Sequence, residues 1–125
     1  MIKICKPYFS SSDNRGELIG LFNCEKWKEV NLISSKSRVY RGGHYHKRTN
    51  EGFILISGSI QVEVQKVKNG KLIGEIEVYN FKKGDFFIIE KFIYHKFYIK
   101  TNSVWINLLN NIMDVSLPDI NLINE

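Results

Sequence analysis

Between residues 60 and 80, apolar and polar positions alternate with a period of two. Val62 and Val64 are interleaved with Gln61, Glu63 and Gln65, and Ile76 and Val78 with Glu75 and Glu77. Successive side chains of a strand point to opposite faces, so each run predicts a strand with one wet face. Asn69-Gly70 lies between them and suits the left-handed backbone of a tight turn, which joins the two into a hairpin. Phe86-Phe87-Ile88-Ile89 is apolar on both faces and is entered through Lys83-Gly84-Asp85, the pattern of a buried strand following a turn. Lys96-Phe97-Tyr98-Ile99 and Val104 through Leu109 predict two more strands, separated by the polar turn Lys100-Thr101-Asn102-Ser103. Another apolar run, Phe53-Ile54-Leu55-Ile56, closes at Gly58.

Helical periodicity is weak. The one candidate is a single turn over Asn23 to Glu29, with Asn23 as its cap. From Asn110 onward the chain is polar and interrupted by Pro118, which predicts a tail packed on the main body or on a neighbouring subunit. Many short strands with Gly and Asn turns point to an all-β barrel or sandwich.

With 125 residues and 14.6 kDa, the expectation is one domain spanning 1–125 that buries roughly two-thirds of its unfolded surface. The formal charge of +5 is dispersed, as in Glu25-Lys26-Trp27-Lys28-Glu29, so it predicts a solvated surface and no nucleic-acid partner. Cys5 and Cys24 are too few for a disulfide framework and read as free thiols. The segment from Met1 to Pro7 lacks the apolar core of a signal peptide, and no stretch is long and apolar enough to span a membrane. A cytoplasmic location with no membrane partner is the expectation.

The chemistry gathers around the three histidines. His44 and His46 form a His-x-His pair that one strand face could present together, Glu51 follows, and His95 lies further along. Three imidazoles and a carboxylate suit a first-row transition metal such as Zn, Fe, Mn or Ni better than calcium or magnesium. Of the four arginines, Arg38, Arg41 and Arg48 flank the pair and Arg15 lies elsewhere; a basic rim beside a concave site would suit a diphosphate.

The arrangement His44-x-His46, Glu51, Gly58 resembles the first motif of the cupin superfamily. Gly84 and His95 match a degraded second motif, in which Glu90 and Phe92 replace the usual proline and glycine. The resemblance implies a single-domain cupin (jelly-roll) barrel. Asp13-Asn14-Arg15-Gly16 and Arg41-Gly42-Gly43-His44-Tyr45 are similar to signatures of the dTDP-4-dehydrorhamnose 3,5-epimerase family. That likeness implies a homodimer exchanging N-terminal strands and acting on a nucleotide-linked 4-keto-6-deoxy sugar. It also implies that Arg15 and Arg41 bind substrate and that His44 is the catalytic base. Glu51 stands where that family has a lysine, and Trp105-Ile106-Asn107 occupies the stretch of its acid tyrosine. The chain also resembles the nucleotide-sugar 3,4-ketoisomerase (WxcM-like) group and the zinc-binding cupin domains fused to capsule-sugar reductases.

His44 cannot serve both readings, because an imidazole whose lone pair binds a metal is no longer a base. Either His44, His46, Glu51 and His95 hold a metal and the base lies elsewhere, or there is no cofactor and His44 takes the proton. Both readings lead to an isomerase, an epimerase or a ketoisomerase of dTDP-linked or similar sugars used in surface polysaccharide biosynthesis. The alternatives are a metal-dependent cupin dioxygenase and a non-catalytic sugar-binding cupin.

Overall fold

The computed structural model describes residues 2–123, so Met1 and the last two positions of the expected domain 1–125 lie outside the described residues. The chain runs through β1 (Ile2–Ile4), β2 (Phe9–Asp13), β3 (Gly16–Gly20), β4 (Glu29–Ser35), β5 (Val39–His44) and β6 (Glu51–Ser57). It continues with β7 (Ser59–Lys68), β8 (Lys71–Lys82), β9 (Phe86–Ile89), β10 (Ile93–Ile99) and β11 (Ser103–Leu109). A five-stranded sheet in the order β1-β9-β6-β11-β4 and a four-stranded sheet in the order β5-β10-β7-β8 make the expected all-β jelly-roll barrel. A separate two-stranded ribbon, β2-β3, completes the described strands.

The inward residues of both sheets form the core. Phe53, Leu55, Phe87, Ile89 and Trp105 come from the larger sheet and Ile60, Val62, Val64, Phe81, Phe97 and Ile99 from the smaller one. Phe81 stacks on Phe87 at 4.0 Å between ring centroids, and Phe87 on Phe53 at 5.0 Å. Burying each such side chain contributes about 1.5–3 kcal/mol, so this aromatic column is a principal tie between the sheets. The predicted hairpin is present as β7 and β8: Lys68 pairs with Lys71 across Asn69 and Gly70, at φ 54° and 75°. Gly58, the closing glycine of the sequence motif, turns β6 into β7 at φ +89°. A Cβ there would lie 2.4 Å from the Asn102 carbonyl oxygen, so no other residue fits without distortion.

The turn of helix expected over Asn23 to Glu29 does not form. Residues 21–28 are irregular, and Glu25 sits at φ 58°. Tertiary contacts override the local signal. Trp27 lies edge-on to Phe22 and over Gly52, while the Lys28 N–H extends the sheet by donating to the Leu109 carbonyl at 2.8 Å.

The tail from Asn110 folds back over the barrel mouth. Tyr45 and Asn121 exchange two backbone hydrogen bonds of 3.0 Å, an antiparallel bridge that ties the tail beside the histidine pair. No helix of the described residues is long and apolar enough to cross a membrane.

Candidate functional site

Two glycines bring the histidine pair to the mouth. Gly42 and Gly43 both have positive φ, 83° and 80°, and a Cβ on Gly42 would meet the His95 carbonyl oxygen at 2.8 Å. β5 therefore approaches β10 closely, the register shifts beside His95, and His44 lands opposite it. β5 ends at His44, Tyr45 turns into the interior at 3% exposure, and His46 follows on the same side as His44. Glu51 begins β6, between β9 and β11. One ligand atom from each of His44, His46, Glu51 and His95 lies within 4.8 Å of the others. The ring centroids are 5.0 Å apart for His44 and His46, 4.8 Å for His44 and His95, and 5.2 Å for His46 and His95.

Surrounding groups fix two of the rings. His46 Nδ1 lies 2.5 Å from the Asp119 carbonyl oxygen and His95 Nδ1 3.1 Å from that of Ile93. A carbonyl oxygen only accepts, so each Nδ1 carries the hydrogen and each neutral ring keeps its lone pair on Nε2. Both Nε2 atoms face the same carboxylate oxygen. His46 Nε2 is in ion-pair contact with Glu51 Oε1, and His95 Nε2 is 3.4 Å from it. Glu51 Oε2 accepts a buried hydrogen bond of 2.7 Å from Asn107 Nδ2, and Asn107 Oδ1 accepts one of 3.2 Å from Asn31.

Burial would push the Glu51 carboxyl up, but close contact with His46 and His95 outweighs it and holds the group far below the usual carboxylate range. Burial, then the neighbouring His95 and His46, pushes His44 down to about 4, so it is neutral at pH 7. Burial also acts downward on His46, but contact with the Glu51 carboxylate prevails and its value is raised.

These electron-rich atoms converge on one point with little hydrogen to share. His46 Nε2 and Glu51 Oε1 are buried without a partner of hydrogen-bond geometry. Protons or a cation must neutralise the convergence, and three imidazole nitrogens with one carboxylate oxygen fit a divalent first-row metal. The Nδ1 bonds to carbonyls are the supporting contacts such ligands require.

A cavity of about 350 Å³ opens over His44, His46 and Glu51, walled by β4, β5, β11 and the tail. Arg41 and Arg48 both line it. Arg41 is held by Nε donation to Ser35 Oγ at 2.6 Å and by a second bond of 3.1 Å to the Ser34 carbonyl. Arg38 instead occupies the β4–β5 turn, where its N–H donates to the Ile99 carbonyl. Arg15 is not brought to this cavity within one chain. It sits in the two-residue turn of the β2-β3 ribbon, its side chain 86% exposed and paired with Asp13 at 2.6 Å.

Two residues at the site have only faint sequence signals. Asn107 is a polar residue in an otherwise apolar buried strand. Asp119 is an acid in a tail whose path is unreadable from sequence, yet its carboxylate caps the Lys47 and Arg48 N–H groups at 2.9 and 2.7 Å.

The polysaccharide biosynthesis C-terminal domain family matches residues 11–119. A comparison with curated proteins finds no match. Among solved structures, the WlaRB TDP-quinovose 3,4-ketoisomerase from Campylobacter jejuni superposes with a TM-score of 0.76 at 24% identity, over 96% of this chain and 91% of that one. Capsular polysaccharide assembling protein CapF from Staphylococcus aureus gives 0.70 at 23%, over 94% of this chain but 34% of its own length, so this chain spans about a third of that protein. The dTDP-4-dehydrorhamnose 3,5-epimerase from Sulfolobus tokodaii gives 0.71 at 17%, over 86% and 69%. At these identities the likenesses establish the fold.

Proposed function

The chain belongs to the polysaccharide biosynthesis C-terminal domain family, and on that premise we propose that it is an isomerase of nucleotide-linked 4-keto-6-deoxyhexoses serving surface polysaccharide biosynthesis. The observation that carries the reading is the meeting of His44, His46, Glu51 and His95 with Arg41 and Arg48 in one cavity. Moving a proton on a carbon beside a ketone needs a base, charge stabilisation at the ketone oxygen, and an anchor for the diphosphate. The arginines suit the anchor, because guanidinium groups bind phosphate oxygens in a fixed fork. Arg41 lines the cavity already oriented by Ser34 and Ser35, with little ordering left to do.

His44, His46, Glu51 and His95 are the residues that would hold a divalent transition metal, with zinc the simplest choice for a reaction without redox change. Such an ion supplies Lewis acidity at the ketone oxygen. The chain's part is then to keep His46 and His95 in one tautomer through Asp119 and Ile93, and to orient Glu51 through Asn107.

The working form in this reading is a cytoplasmic homodimer. The β2-β3 ribbon pairs with no other described strand, and it exposes Phe9, Leu18 and Ile19. The edge strand β4 exposes Val30 and Leu32. Joining ribbon to edge across two copies would cover both and carry Arg15 toward the partner's cavity.

Incubation with dTDP-4-keto-6-deoxyglucose in deuterated water, followed by NMR, tests the activity. Loss of the C3 proton signal alone is expected for ketoisomerisation or single epimerisation, and loss at C3 and C5 for double epimerisation. Binding without exchange at either carbon would reject an isomerase and leave a sugar-binding barrel.

A further inference from the structure

If the three histidines hold a metal, none of them keeps a lone pair for the carbon-bound proton, and another group must receive it. We propose that Asp114 is the catalytic base, an inference that rests on the isomerase reading above. Three carboxylates line the cavity over the cluster: Glu51, Asp114 and Asp119. Glu51 belongs to the cluster itself, with Oε2 committed to Asn107. Asp119 is spent on structure. Its Oδ1 accepts from the Lys47 N–H at 2.9 Å and Asn121 Nδ2 at 3.1 Å, and its Oδ2 from the Arg48 N–H at 2.7 Å and the Thr49 hydroxyl at 3.1 Å.

Asp114 differs from both. Its Oδ1 accepts the Ser116 and Leu117 N–H groups at 2.9 and 3.3 Å, which locks the side chain in a local turn. Oδ2 has no hydrogen-bond partner among the described residues. The segment is pinned on both sides, by the Met113 N–H donating to Glu29 Oε1 at 3.0 Å and by the Asp119 clamp. With His44 and His46 taken up by the metal, the other polar groups of the wall are cations, amides or a hydroxyl already donating, and none of them accepts a proton at neutral pH.

The step balances without an oxidant. Asp114 Oδ2 takes the proton from C3, and the C–H electron pair becomes the C3–C4 double bond. The C4 carbonyl pair moves to O4, which gains a proton as the C3 hydroxyl loses one. Asp114 then returns its proton to C4, leaving the ketone at C3. One base on one wall moves a proton between adjacent carbons on the same face. Inversion at a carbon needs a donor on the opposite face, so this geometry favours 3,4-ketoisomerisation over epimerisation.

The test uses the metal-loaded protein with dTDP-4-keto-6-deoxyglucose in deuterated water, with dTDP binding and metal content measured in parallel. Asp114→Asn should lower the rate of C3 exchange by about 10²- to 10⁴-fold with dTDP affinity and metal content unchanged. Asp114→Glu should keep part of the rate, and added formate should restore Asp114→Ala in proportion to its concentration, as a purely structural role would not. Wild-type exchange in Asp114→Asn overturns the assignment. So does loss of exchange together with metal or dTDP binding, which would make Asp114 structural. If the wild-type protein binds the sugar nucleotide but exchanges no proton, the isomerase reading itself falls, and the base with it.

Discussion

Glu51→Gln separates a metal centre from a cluster held together by protons. Glu51 Oε1 faces His46 Nε2 and His95 Nε2, while Oε2 is fixed by Asn107. In the variant, the glutamine oxygen can take the Asn107 bond and the NH₂ group can donate to the imidazole lone pairs. The metal-free site then becomes hydrogen-bonded, and the only anionic ligand is gone. Zinc at 100 times its Kd stabilises the wild-type fold by about 2.7 kcal/mol. For 125 residues at about 2.1 cal/mol/K each, the unfolding entropy is about 0.26 kcal/mol/K, so Tm should rise by about 10 °C. Losing a residue that merely supports a ligand weakens metal binding about 10- to 100-fold, and losing a ligand costs at least as much. At the same zinc concentration, a 100-fold weaker site gains only about 0.4 kcal/mol, and the Tm shift falls below about 2 °C. Thermal unfolding of chelator-treated protein with and without zinc measures both. An equal shift in Glu51→Gln, or no shift in the wild type, refutes the convergence argument.

Asn107→Leu should leave Glu51 Oε2 unpaired, costing about 1–3 kcal/mol in urea unfolding and weakening zinc about 10- to 100-fold by titration; unchanged zinc affinity would mean that Asn107 does not orient the carboxylate. In metal-free protein, His44 falls from an unfolded value of about 6.5 to about 4, so its contribution to stability is complete above pH 6.5 and is lost as pH falls toward 4. The depressed Glu51 acts in the same direction at lower pH, and the raised His46 contributes fully throughout that window. The urea midpoint should therefore drop between pH 6.5 and 4, and His44→Phe should flatten the drop; an identical slope in the variant would show that His44 is not its source. Phe87→Ala, at a position with 0% exposure between Phe53 and Phe81, should cost about 3–5 kcal/mol in urea unfolding, and a loss below 1 would contradict the packing described.

The barrel was legible because its signals are local. Alternation around Val62 and Val64, the Asn69-Gly70 turn and the apolar run at Phe86 each fix an element within a few residues. The cluster was legible for a similar reason, since the His44-x-His46 spacing constrains geometry wherever the barrel closes. Arg15 was not, because its place depends on how a ribbon without a described partner strand is docked. The helical turn at Asn23 failed when Trp27 found a better contact over Gly52 than a helix would offer. Asn107 acts through Glu51, 56 residues away, and Asp119 through partners 70 to 73 residues away, distances that no window of sequence spans. Phe92 is a further surprise: it stands where the cupin motif has glycine and adopts φ 62°, held there by its N–H bond of 2.7 Å to the His46 carbonyl.

The cluster draws on both halves of the barrel. His44 and His95 belong to the four-stranded sheet, Glu51 to the five-stranded one, and His46 to the segment between. During synthesis His44, His46 and Glu51 leave the ribosome well before His95, so a nascent chain offers an incomplete donor set. The full donor set therefore exists only once the two sheets have closed on each other. An ion held by all four residues would link the two sheets like a clasp.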